Sequence, residues 1–488
     1  MNRTIRQVGI VVVVLLLALV ANLTYYQVVD AKKLANDPRN VRRLVRDYSK
    51  PRGDIRTADG QVVARSVPSN DLFKLQRQYP LGSLFSQVVG YQSFVVGNTG
   101  VEATYNDELV GRDLGVSLRN FAGILSNKDQ FGSVVLTLRA DAQETARTAL
   151  GSQRGSVVAI DPRNGAILAM YSNPSFDPQP LAAHNGAIVN AYFTGLTNDP
   201  TKPNLARAFR EIYAPGSTFK VVTTTVGLET GTVTPDTPFP NVSQIPLPAS
   251  DKTLSNFGHE TCGGTLAQSF TVSCNTTFAS VGIQLGDKFP PGMHQFGVGE
   301  APPLDVAPGA VSSVDMDNRP FAQNQAFYGL AGIGQGFIAV TPLQMALVAS
   351  AIADNGVVMT PHVMSEILDA QGGVVRKYQP KPWKTATTPA FASQVTTMME
   401  TVVNAPNGTG TPARIPGVTV AGKTGTAQVE GQPEPNAWFI AFAPAEAPRV
   451  AVAVLVVEGG NSGSDATGGR VAAPIARDML VKLLQAGG

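Results

Sequence analysis

The chain has 488 residues, 43% of them hydrophobic, enough for two or three units of about 150 residues with sizeable cores, which excludes a small stapled module. Its 48 glycines and 35 prolines fall below the share found in disordered or collagen-like chains. With 38 basic and 36 acidic residues the net charge is +2, too little for a phosphate-binding surface, so nucleic acid is excluded as an expected partner.

In chain order, the first element is an uncharged run from Val8 to Val29. As a helix at 1.5 Å per residue it is about 33 Å long, enough to cross a bilayer. Residues 8–29 are therefore expected to enter the lipid bilayer, with Tyr25 and Tyr26 at the outer interface and Arg3 and Arg6 inside. The alternatives are a buried core helix or a cleaved signal peptide, whose small-residue cleavage pattern Leu19 and Ala21 fit poorly. Lys32, Lys33, Arg39, Arg42, Arg43 and Arg46 follow the span and by local counting favour the opposite orientation. Long domains cross largely regardless of such charges, so an extracytoplasmic catalytic part rests on the chemistry below.

Residues 31–132 read as a small extended non-catalytic domain, with short β-like runs such as Gln61 to Ala64 after the turn Asp59-Gly60. From residue 133 the apolar density rises. Ser133 to Leu138 reads as a strand and Ala140 to Leu150 as an amphipathic helix. Ser156 to Ile160 and Ala166 to Met170 flank the turn Asp161-Pro162-Arg163-Asn164-Gly165, a hairpin signal. Thr341 is a candidate N-cap, with Pro342 in the first turn and an apolar stripe from Gln344 to Ala353. Val418 to Ala421, Ala437 to Phe442 and Val450 to Val457 read as strands, and Val471 to Leu484 as a closing helix. Trp438 reads as packing in a central strand rather than as a substrate platform. Strands at both ends with helices between them imply an α+β fold, an antiparallel sheet covered by helices. The expected organisation is 1–30 as tip and anchor, 31–132 as the extended domain and 133–488 as the catalytic domain.

Three constellations carry chemistry. In Ala214-Pro215-Gly216-Ser217-Thr218-Phe219-Lys220 the Pro-Gly turn should place Ser217 in the first turn of a helix, and the i, i+3 spacing lets the Lys220 amine reach its hydroxyl. A serine is a poor nucleophile until a neighbour takes its proton, and lysine can do so only when neutral. Lowering a lysine from about 10.4 to about 7.4 costs roughly 4 kcal/mol; burial and a second cation, here Lys423, are the usual means. In Ser273-Cys274-Asn275 the hydroxyl can relay a proton to a leaving amine, and the carboxamide can hold a peptide chain. In Lys423-Thr424-Gly425-Thr426 the two hydroxyls can bind a carboxylate, Gly425 permits close approach, and the Thr426 N–H can join that of Ser217 as an oxyanion hole. Each constellation alone has a bland reading, as a solvated helix face, a cap or a strand end. Each pattern occurs once, in the order 217, 273, 423, and together they describe acyl transfer.

Cys262 and Cys274 lie 12 residues apart, and neither His259 nor His294 completes a zinc-like set with them. No metal and no cofactor are expected. In an exported chain the two cysteines can form a disulfide; in a cytosolic one they would be free and buried.

Ser-x-x-Lys, Ser-x-Asn and Lys-Thr-Gly together resemble the signature of penicillin-binding proteins and serine β-lactamases. Arg52-Gly53-Asp54-Ile55, Asp59-Gly60 and Gly100-Val101-Glu102 with Tyr105-Asn106 and Leu109-Val110-Gly111 are similar to N-terminal motifs of the class B, monofunctional penicillin-binding proteins. Ser172 to Pro178, Asn204 with Arg207-Ala208, Gly334-Gln335-Gly336 and Thr341 to Ala346 are similar to their transpeptidase domain. The length and short N-terminal domain are most like an actinobacterial branch. The resemblance implies a D,D-transpeptidase working on peptidoglycan stem peptides, with a D-Ala-D-Ala donor and an amine acceptor, inhibited covalently by β-lactams at Ser217. It also implies a lipid-linked glycan polymerase and divisome proteins as partners, and a role in septal or elongation peptidoglycan synthesis, with septation the expected setting. The roughly 100 residues between the anchor and Ser133 are too few for a glycosyltransferase domain of usual size.

Two other readings stay open at this point. A β-lactamase or D,D-carboxypeptidase of the same fold would use water as acceptor, and a fast β-lactamase needs a carboxylate, Glu211 or another, to activate it. A non-catalytic β-lactam sensor or divisome scaffold is the third reading; a sensor needs a cytoplasmic signalling segment, and about seven residues precede the span.

Overall fold

The computed structural model describes residues 3–30, 45, 48–113, 131–314, 321–428 and 431–486. The basic run from Lys32 to Arg43, with Arg46, lies outside the described residues. The chain divides into two compact units, residues 1–51 with 66–76, and residues 52–65 with 77–488. In the first unit an α-helix, Arg3–Thr24, continues as a π-helical turn, Tyr25–Val29. These 27 residues bury no side chain and are long and apolar enough to cross a membrane.

The second unit is built on a five-stranded sheet in the order Ala421–Ala427, Asn436–Ala443, Val450–Val456, Gly155–Ile160, Ile167–Asn173. Every neighbouring pair is antiparallel. Side chains alternate between the two faces of a strand, and here both faces are covered. Val158, Ile160, Trp438, Ile440, Phe442 and Leu455 enter one apolar cluster with Leu343 and Leu347. Val157, Ala159, Phe439, Ala441, Val452 and Val454 enter another with Ala142, Leu150, Met479 and Leu480. The first face is closed by helix Pro342–Ala353, the second by helices Ala140–Leu150 and Ala473–Gln485. Pro342–Ala353 carries no charge and is buried all round, as a helix apolar on every side must be. Thr341 caps it, accepting from the Gln344 N–H at 3.0 Å.

The α+β architecture, the helix at 140–150 and the hairpin agree with the sequence reading. One strand does not. Val418 to Val420 lies before the strand, which runs over Ala421–Ala427 and contains Lys423 to Thr426. The earlier residues turn around Gly417, at φ 76°, with an isolated bridge from Ile415 to Val418. β propensity picked the valines, whereas pairing with Asn436–Ala443 selects the stretch that can lie flat against it.

A second sheet joins short strands distant in sequence. Ile55–Arg56 pairs in parallel with Ser133–Leu136 and antiparallel with residues 62–64, and Ser133–Leu136 pairs with Met364–Leu368. Beside it Glu102 is fully buried and accepts from Arg52 Nε at 2.7 Å and Arg77 Nε at 2.6 Å. Burial alone would raise the Glu102 pKa, but the two guanidiniums hold it below the usual carboxylate value. Tyr105 donates to Asp305 at 2.8 Å, and Asp305 accepts from the Val363 and Met364 N–H groups at 2.7 and 3.0 Å. The motifs at 52–55 and 100–106 thus form a buried polar node. Replacing Glu102 by Gln leaves two buried guanidiniums uncompensated and should lower stability by about 3–5 kcal/mol. Urea unfolding monitored by circular dichroism measures this; a midpoint equal to that of the parent protein contradicts it.

Candidate active site

Ser217 sits in a 3₁₀ turn, Gly216–Phe219, that runs directly into helix Lys220–Glu229. Three backbones meet at this turn because three glycines leave room. Gly216, at φ 54°, donates its N–H to the Gly334 carbonyl at 2.9 Å, and a Cβ at Gly334 would collide with the Gly216 carbonyl. A Cβ on Gly216 would lie 2.8 Å from the Thr426 carbonyl oxygen, and one on Gly425 2.8 Å from that of Pro215. Trp438, fully buried in the interior strand Asn436–Ala443 opposite Gly425, donates its indole N–H to the Ala214 carbonyl at 3.0 Å. Its role is packing, and it also anchors the start of the turn.

Lys220, Lys423 and Ser273 converge although they are far apart in sequence. Lys220 Nζ donates to the Ser273 carbonyl at 2.7 Å, to Ser273 Oγ at 3.2 Å and to Asn275 Oδ1 at 2.8 Å. Lys423 Nζ donates to the same Ser273 Oγ at 2.8 Å and to the Thr424 carbonyl at 3.1 Å. Both lysines are fully buried. Burial, and then the charge of Lys423, push the Lys220 pKa far below its ordinary value. Burial lowers Lys423 to about 7. The Phe278 ring lies 5.4 Å from Lys220 Nζ and the Phe270 ring 5.6 Å from Lys423 Nζ, supplying quadrupole attraction where water is excluded. Among the described residues no hydrogen bond joins Lys220 to Ser217; the lysine is turned toward Ser273 and Asn275. Catalytic hydrogen bonds often tighten only when substrate is bound.

Ser273 adopts φ 61°, a left-handed conformation that costs a non-glycine residue about 1–2 kcal/mol. This backbone turn presents both its carbonyl and its hydroxyl to the lysines. The surrounding loop is tied down. Cys262 and Cys274 form a disulfide, closing a loop of a size for which chain entropy gives about 3 kcal/mol. Asn256 accepts from the Thr276 N–H at 2.9 Å and donates to the Val242 and Glu260 carbonyls at 2.8 and 3.0 Å. Asn275 Nδ2 donates to the Ser255 carbonyl at 3.2 Å.

These groups lie along a cleft of about 910 Å³ lined by Ser217, Ser273, Asn275, Thr424, Gly425 and Thr426, with Lys220 and Lys423 buried behind Ser273. Thr424 Oγ1 is 2.7 Å from Thr409 Oγ1, and Thr426 Oγ1 accepts from the Gly468 N–H at 3.4 Å. Glu211 does not line the cleft; it accepts from the Tyr213 hydroxyl and pairs with Arg207 at 3.4 Å. Sequence reasoning missed Phe270, Phe278, Asn256 and Thr409. None has a chemical signature by itself.

Comparison with known proteins places the chain in a family. A family model described as the penicillin binding protein transpeptidase domain matches residues 155–481, and one described as the penicillin binding protein A dimerisation domain matches residues 52–135. The chain is 39% identical to the peptidoglycan D,D-transpeptidase PbpA of Mycolicibacterium smegmatis, over 100% of both proteins. It is 36% identical to PbpA of Mycobacterium tuberculosis over 99% of both. The structure of penicillin-binding protein A from M. tuberculosis as a ceftriaxone acyl-enzyme superposes with a TM-score of 0.84 at 34% identity, covering 90% of this chain and 100% of that one. Penicillin-binding protein 2 of Pseudomonas aeruginosa gives 0.73 at 27% identity, covering 89% and 95%. This chain belongs to the class B penicillin-binding proteins.

Proposed function

We propose that the protein is a peptidoglycan D,D-transpeptidase that cross-links stem peptides through an acyl-enzyme on Ser217. The observation that carries this reading is the sharing of one hydroxyl, Ser273 Oγ, by two buried lysine amines at the floor of a cleft that Ser217 also lines. Neutral Lys220 takes the Ser217 proton as Oγ bonds to the carbonyl carbon between the last two D-alanines of the donor. The N–H groups of Ser217 and Thr426 hold the developing oxyanion, and the hydroxyls of Thr424 and Thr426 take the donor's terminal carboxylate. The C–N bond then breaks, and D-alanine leaves with a proton relayed through Ser273. An acceptor amine attacks the ester, gives up a proton by the same route, and Ser217 recovers its hydrogen as the C–O bond breaks. Asn275 holds the peptide chain, and Lys423 keeps Lys220 short of its proton. β-Lactams acylate the same serine.

In this reading residues 1–30 anchor the chain as a single span with the catalytic part outside the cytoplasm. Residues 31–132 form the non-catalytic domain and 133–488 the transpeptidase. A lipid-linked glycan polymerase and divisome proteins are the proposed partners, and septation the proposed setting.

Ser217→Ala should abolish covalent labelling by a fluorescent penicillin; labelling that persists at another residue refutes the assignment. The pH profile tests the lysines. Acylation needs neutral Lys220, so its rate should fall as pH drops through that depressed pKa. Lys423→Met removes a positive neighbour that lowers Lys220, so the acidic limb should move to higher pH while the maximum rate drops. A limb that stays put or moves down contradicts the coupling. Stopped-flow acylation across pH 5–9 measures both.

A further inference from the structure

The hydroxyl of Thr424 has one hydrogen-bond partner among the described residues, the hydroxyl of Thr409, 2.7 Å away. Both residues line the cleft. Thr424 is nearly buried on strand Ala421–Ala427, with 6% of its surface exposed. Thr409 comes from outside the three constellations, in the loop that follows helix Pro389–Asn404. Main-chain contacts fix that loop without help from its side chain. Gly410 donates its N–H to the Val402 carbonyl at 2.9 Å, and Gly408 to that of Ala405 at 3.1 Å. A Cβ on Gly408 would lie 2.3 Å from the Val402 carbonyl oxygen, and one on Gly469 2.2 Å from that of Thr409. Two missing side chains thus let the loop close both on the helix before it and on the π-helical turn Gly468–Ala472.

Resting on the transpeptidase reading, we infer that Thr409 is a positioning residue for the donor's terminal carboxylate, acting through the Thr424 hydroxyl. A carboxylate offers only acceptors, whereas each threonine hydroxyl has one proton to donate. Two hydroxyls 2.7 Å apart place one proton between them, and the hydroxyl that accepts it keeps its own proton free. If Thr424 were the donor, an incoming carboxylate would meet its lone pairs. With Thr409 as the donor, Thr424 turns its O–H to the carboxylate, and the bond it accepts polarises that O–H and strengthens it. The carboxylate therefore selects the order Thr409 to Thr424 to ligand. Thr426 is arranged in the same way: its Oγ1 accepts from the Gly468 N–H at 3.4 Å, leaving its proton for the same ligand. A hydrogen bond to an ionised group is roughly twice as strong as one between neutral groups. The link should thus matter for a donor that ends in a carboxylate and much less for one that carries an ester there.

The test uses the full-length protein and two donors, a stem-peptide thioester of thioglycolate, which ends in a carboxylate, and the methyl ester of the same compound. Thiol release under conditions limited by acylation gives the two rates. Their acid-to-ester ratio is internal to each enzyme, so the active fraction cancels. Comparing variant with parent also cancels the different intrinsic reactivities of the two thioesters. The parent should favour the acid. Thr409→Val, which keeps the side-chain shape and removes the hydroxyl, should lower the ratio about tenfold, and Thr409→Ser should restore it. General damage to the cleft would slow both donors alike and leave the ratio where it was. A ratio that does not move in Thr409→Val, a ratio that stays low in Thr409→Ser, or a parent with no preference for the acid overturns the inference. Should Thr409→Val fail to fold, Thr409→Ala carries the same comparison, because main-chain contacts hold the loop. Failure of the underlying reading looks different: the parent then releases thiol from neither donor and takes no penicillin label on Ser217.

Discussion

Two lysine amines buried with no carboxylate partner among the described residues are the constraint around which the catalytic unit is organised. An isolated buried ammonium costs far more than the fold's net stability, so such a group gives up its proton. Here the cost is met partly by carbonyl and hydroxyl acceptors and two aromatic rings, and partly by lowered proton affinity. The two amines compete for the same Ser273 oxygen. The charge of Lys423 adds to burial in keeping Lys220 from carrying its own, and the result is an amine with depressed proton affinity before any substrate arrives.

That arrangement persists only if the Ser273 loop cannot relax. A serine in the left-handed region would return to an ordinary conformation if the loop were free, moving its carbonyl and hydroxyl away from the lysines. The Cys262–Cys274 bridge, the Asn256 hydrogen bonds and the helix that begins at Asn275 hold the loop from three sides. On the opposite wall the strand bearing Lys423 is rigid because it is one edge of a sheet packed on both faces. Both walls end in local strain or close packing, and the sheet and helices give them a fixed separation.

The fold class and the residues that converge on the cleft were legible in the sequence because period-two and helical patterns, and rare polar triplets, survive without tertiary context. Helix Ala140–Leu150 and the hairpin turn at 161–165 are local features of this kind. The edge of the Lys423 strand was misplaced because strand limits depend on the partner strand, here Asn436–Ala443, which local propensity does not see. The direct approach of Lys220 to Ser217 was a fair reading of i, i+3 spacing, but the lysine has better acceptors supplied by residues 53 and 55 positions later. Phe270, Phe278 and Asn256 act only through what they enclose, and no local pattern distinguishes them from ordinary core or turn residues.

The interlock of Gly216, Gly334 and Gly425 divides the cleft into a part that can vary and a part that cannot. Where three main chains touch with no side chain between them, an exchange of any one of these glycines displaces Ser217 itself. Strand Thr253–Ser255 with the turn Phe257–His259, and the stretch from Gln432 to Pro435, line the same groove. Changes in ligand preference therefore have room to accumulate on those two rims, while the seat of Ser217 stays closed to adaptation.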